Sequence, residues 1–131
     1  MKKTLTTILF ILSSIIIFGQ ARLGSSIADI RSEFRDSNFN LKSGYDSDGD
    51  YYINVELERA FVTYYFDNSF CYITIIVPKN QGALNALVQI YNERYVIKSN
   101  TEWNMYSGKG MARIRLIFDE DDSYYFIWSN L

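Results

Sequence analysis

Apolar residues recur along this chain in two periods, one of three to four residues and one of two, and the changes of period mark its elements. Ile27, Ile30 and Phe34 fall at helical spacing behind Ser26, and Asp29 stands three residues after that serine, which predicts a capped helix over 26–36. Leu84, Leu87, Val88 and Tyr91 keep a second apolar stripe behind Asn80, a capping residue, with Pro78 cutting it off from what precedes; this predicts a helix over 81–93. The rest alternates. Ile53, Val55 and Leu57 interleave with Asn54, Glu56 and Glu58, a half-buried strand with its acids in water. Residues 60–66, 70–77, 111–118 and 123–129 are rich in Val, Ile, Phe, Tyr and Thr, which fit a pleated surface. Turn residues lie between them at Asp67-Asn68-Ser69, at Ser107 to Gly110 and at Asp119 to Ser123.

The first residues follow a different rule. Met1, Lys2 and Lys3 precede an apolar run from Leu5 to Phe18 that ends in Gly19, Gln20 and Ala21, the layout of a secretory signal peptide with cleavage after Gly19 or Ala21. The run is shorter than the ~20 apolar residues of a spanning helix, no basic cluster follows it, and no cysteine closes it for lipid attachment. The expectation is a leader over 1–19 and a periplasmic or secreted single domain over 20–131, with no stable membrane anchor after cleavage. Removing residues 1–19 takes two of 13 basic residues and none of 15 acids, so the mature charge is −4, which argues against nucleic acid as a partner. The remaining 112 residues can bury roughly 60–70 % of their unfolded surface without staples.

The halves resemble each other. Asn38 to Ser43 matches Arg94 to Ser99 at an offset of 56, Phe66-Asp67 matches Phe118-Asp119 at 52, and Phe34 falls on Ile90. Half-repeats over 24–78 and 79–131 would each read as a helix followed by four strands. The expected fold is α+β: an antiparallel sheet of about seven or eight strands with two helices on one face, in a tandem α-β4 repeat.

Leu23 to Ile27 ahead of the first helix, Tyr64 to Asp67 with Cys71, Asn92 to Tyr95, Trp103 and Ile114 to Phe118 carry a likeness across nearly all of the mature chain. On these scaffold residues the chain resembles the β-lactamase-inhibitor protein, the BamE/SmpA outer-membrane assembly proteins and a broad set of small secreted proteins of Gram-negative bacteria. The resemblance implies the α-β4-α-β4 fold. It carries over no functional residue, and the chain lacks the lipid-bearing cysteine typical of BamE.

Composition narrows the chemistry. The chain has no histidine, which removes the usual general base and the commonest zinc ligand. Cys71 is the only cysteine and sits in a strand-like run, where a small buried apolar residue is expected. With no catalytic motif the reading is not an enzyme. The alternative is a carboxylate-dependent hydrolase or glycan-processing protein drawing on Glu56, Glu58, Asp119, Glu120, Asp121 and Asp122. Asp46, Asp48 and Asp50 alternate in a tight loop and suggest a calcium site, giving a calcium-stabilised structural protein as a further alternative; no other cofactor is implied. The segment departs from the EF-hand pattern, with glycine in the fourth place and Leu57 where the bidentate acid belongs, and the preferred reading is a polar turn into the strand beginning at Tyr51, with Asp-Gly supplying the bend.

Arg113 and Arg115 alternate with Ala112, Ile114 and Leu116, and Tyr124, Phe126 and Trp128 share one parity of the last strand. If both helices cover one side of the sheet, these five residues are expected together on the other, in the mix of arginine and aromatics that binding surfaces favour. The expected function is a binding or interaction module for a protein or glycan, using that open face.

Overall fold

A computed structural model describes residues 22–108 and 110–131; the leader and its cleavage site lie outside the described residues. Helix α1 (Ile27–Glu33) begins where Ser26 accepts a hydrogen bond from the Asp29 backbone N–H at 3.1 Å. It ends three residues short of the expected 36, because Asp36 starts a separate 3-10 turn (Ser37–Phe39) by accepting from the Asn38 N–H. Helix α2 (Gln81–Arg94) starts as expected at Asn80, whose side chain accepts from the Ala83 N–H at 2.8 Å.

The strands are β1 (Lys42–Tyr45), β2 (Tyr51–Glu56), β3 (Ala60–Asp67), β4 (Phe70–Pro78), β5 (Val96–Ser99), β6 (Glu102–Ser107), β7 (Gly110–Phe118) and β8 (Tyr124–Asn130). All pair antiparallel in one sheet of order β1-β2-β3-β4-β8-β7-β6-β5. Each helix therefore precedes a four-stranded meander, and the meanders join along the β4–β8 seam, where Ile75 faces Ile127. The edge strands β1 and β5 have only four residues each, which limits pairing with other chains.

Both helices lie on one face. Ile30 and Phe34 of α1 and its cap, and Leu84, Leu87 and Tyr91 of α2, share one core with Ile53, Val55, Val62, Tyr64, Ile76, Trp103, Ile114, Phe126 and Trp128. Phe34, the C-cap of α1, and Tyr91, three residues before the end of α2, are both buried in this core. The Tyr91 ring meets Trp103, Phe126 and Trp128 edge-on, with centroids 5.0–5.7 Å apart, a geometry that aromatic quadrupoles favour. Trp103 donates its indole N–H to Asn92 at 2.8 Å. Cys71 is buried, and burial pushes its thiol up to about 11, so it serves as a small apolar core residue. Among the described residues no helix is long and apolar enough to cross a membrane.

Candidate functional site on the open sheet face

Strand register decides which side chains share the face left uncovered by the helices, because partners across a ladder point the same way. Asn54, Thr63 and Ile75 line up with Ile127, Arg115 and Glu102 in one row. Tyr52, Tyr65 and Ile73 line up with Ser129, Arg113 and Asn104 in the next. Phe61 pairs with Val77, and Ile117 with Tyr125, in a third. The seam is thus apolar, built of Ile73, Ile75, Val77 and Ile127. Phe61 and Val77 remain 40 % and 39 % exposed. The Lys79 Nζ lies over the Phe61 ring, 5.0 Å from its centroid.

At the end of the seam near Ile73 the two flanks carry opposite charge. On the β7 side Arg113 and Arg115 are exposed, and the Glu102 carboxylate is 3.9 Å from the Arg113 Nε. On the β2–β3 side Asp46, Asp50 and Asp67 collect at one corner. A bulge in the β3–β4 ladder, where the register shifts between Tyr65 and Phe66, adds Tyr72 to the face. The Tyr72 hydroxyl donates to Asp50 at 3.3 Å. Burial and then the charges of Asp50, Asp46 and Asp67 raise the Tyr72 phenol, and burial with Asp46 and Asp50 raises that of Tyr65. Sequence reasoning missed this corner because β4 is apolar on both parities, so nothing in its pattern marks the bulge that adds Tyr72 to the face.

The five residues expected together do not share a face. Arg113 pairs with Ser129 and Arg115 with Ile127, whereas Tyr124, Phe126 and Trp128 pair with Phe118, Leu116 and Ile114 on the helix side. Phe126 and Trp128 are fully buried in the core and Tyr124 packs against it. The aromatic half of the expected site is therefore core, and the arginines keep different company: Ile127, Ser129 and Tyr125.

The aspartate loop is organised as a turn. One carboxylate oxygen of Asp46 accepts from the backbone N–H groups of Asp48 and Asp50, at 3.0 and 2.9 Å, while the Asp46 N–H donates to the Asp50 carbonyl. Gly49 takes a φ of 85°, the left-handed conformation such a turn requires. Among the described residues no group of three His, Cys, Asp or Glu side chains is placed to hold a metal ion.

The other acids are dispersed. Glu56 pairs with Lys79 at 2.7 Å, and that hydrogen bond and charge hold its carboxyl below the usual range. Asp121 is likewise lowered, by the hydroxyl and backbone N–H of Ser123. A general acid needs the opposite shift. Between α2 and the sheet, Leu57, Val62, Ile76, Ala83, Leu87 and Ile90 surround a cavity of about 40 Å³, room for about one water and no metabolite.

No protein-family model, curated protein or solved structure matches this chain.

Proposed function

We propose that the protein is an exported binding module of the periplasm or cell exterior that engages a protein partner through the open face of its sheet. What carries the reading is the asymmetry between the two faces: one is sealed by both helices, the other leaves an apolar seam of Ile73, Ile75, Val77 and Ile127 flanked by Arg113 and Arg115. A sheet face that had only to meet water would alternate polar residues outward, as Asn54 and Thr63 do further from the seam. An apolar centre with a charged rim is the layout of an interaction surface. The basic, apolar and small-residue grammar of residues 1–21 supports export. Duplication of an α-β4 unit would account for the matched meanders.

The test is crosslinking in intact producing cells followed by recovery of the tagged protein. Ile75→Glu and Arg113→Ala should each remove a partner that the wild type and a helix-side control, Gln89→Ala, retain. Unchanged capture by both open-face variants, with folding verified, would refute the reading.

A further inference from the structure

The open face is self-complementary in charge about its own midline. Asp67 lies on β3, one strand out from β4; Arg113 lies on β7, one strand out from β8. Register connects them, since Arg113 aligns through Ser129 and Ile73 with Tyr65, two residues from Asp67. Along a strand that is about 7 Å, within the reach of an arginine side chain. Asp46 and Asp50 stand beside Asp67 around the Tyr72 phenol, whereas at the same end of the face β7 offers Arg113, with Arg115 two residues on and Glu102 beside them.

On these grounds we infer that the occupant of the open face is a second copy of this chain, packed face to face about a two-fold axis that runs along the β4–β8 seam. The inference rests on the proposed use of that face. Such an axis lays β3 of one copy over β7 of the other, so each acidic corner meets the other copy's arginines, and both contacts form at once. That is the requirement of an isologous interface: one patch must complement itself. On the axis, Ile75 of one copy meets Ile127 of the other, closing the apolar seam. The six central strands span about 24 Å at a spacing of ~4.8 Å and about the same length along the strands. The resulting flat area, on the order of 600 Å², is comparable with the ~800 Å² that each partner contributes to a standard interface. Aligned packing of two twisted sheets is a common way to bury such faces.

The experiment is a charge-swap mixing assay read by sedimentation over a concentration series of the mature protein. The wild type should sediment as a dimer. Arg113→Glu places like charges over the acidic corner and Asp67→Arg places them over the arginines, so each variant alone should dissociate at least about tenfold more readily. Mixed together, they restore both opposite-charge contacts and should sediment as a heterodimer. Both positions are exposed, and circular dichroism confirms that each variant is folded. A wild type that stays monomeric throughout, or variants that dimerise as tightly as the wild type, would overturn the proposal. Ile75→Glu separates this from the broader reading: a monomeric wild type whose partner capture is still lost in Ile75→Glu overturns the dimer alone, and a dimer indifferent to Ile75→Glu counts against both.

Discussion

The indole N–H of Trp128 on β8 donates to the hydroxyl of Tyr91 on α2, at 3.3 Å and out of reach of water. This bond ties the longer helix to the strand that forms the centre of the sheet, and it satisfies a donor that would otherwise be buried alone. Tyr91→Phe keeps the ring contacts with Trp103 and Phe126 but strands the indole N–H. It should lower unfolding free energy by about 1–2 kcal/mol, measured by urea denaturation.

Tyr64 gives the opposite sign. Its ring stacks near Phe34, with centroids 5.8 Å apart, but its hydroxyl is buried with no hydrogen-bond partner among the described residues, and burial drives its ionisation far above the ordinary phenol range. Tyr64→Phe removes an unmet polar group and leaves the packing, so stability should rise by about 1 kcal/mol. A loss of similar size in the same urea titration would show that the hydroxyl is satisfied after all.

Stability should fall in alkali, beginning near pH 9. The Cys71 thiol, which ordinarily titrates near 9.0, is pushed up to about 11 by burial in the folded chain. Between these values the unfolded chain releases a proton that the folded one keeps, so stability is whole below about pH 9 and is lost as pH rises toward 11. Buried Tyr64 and Tyr91, raised above 10.0 by desolvation, extend the loss to higher pH. Urea midpoints from pH 8 to 11 should decline, and Cys71→Ala should make the decline shallower over pH 9–11.

The Asp46 carboxylate works as an acceptor for two backbone N–H groups. Asp46→Ala should therefore destabilise the domain by about 1–2 kcal/mol, by loss of the turn that sets β1 against β2. The change in melting midpoint should be the same in calcium and in chelator. A loss seen only with calcium present would mean that the loop is a metal site.

Much of the fold is legible in the sequence because local signals agree with it: Ser26 and Asn80 cap the helices they precede, and Ile53 and Val55 point inward as their alternation with polar residues requires. The face of β8 is not legible. Its residues Tyr124 to Trp128 are apolar on both parities, so the pattern has no polar side to orient it, and a slip of one residue in the β7–β8 connection exchanges the faces. Only the register of Arg113 with Ser129 and of Ile114 with Trp128 resolves this. Short β1 and β5 escape for a related reason: Lys42 to Tyr45 and Val96 to Ser99 each have four residues at a sheet edge, too few for alternation to register. The charge balance of the open face depends on residues from the β1–β2 turn, β3 and β7 meeting through register, which no local pattern records.

The central claim is that the open face binds and the helix face does not. Its most direct measurement places a photo-crosslinking amino acid at Ile75, on the seam, and in a parallel protein at Gln89, on the exposed side of α2, and irradiates intact cells that produce each one. Crosslinked adducts should form from position 75 and be absent from position 89. Adducts formed equally from both positions, or from position 89 alone, would contradict the assignment.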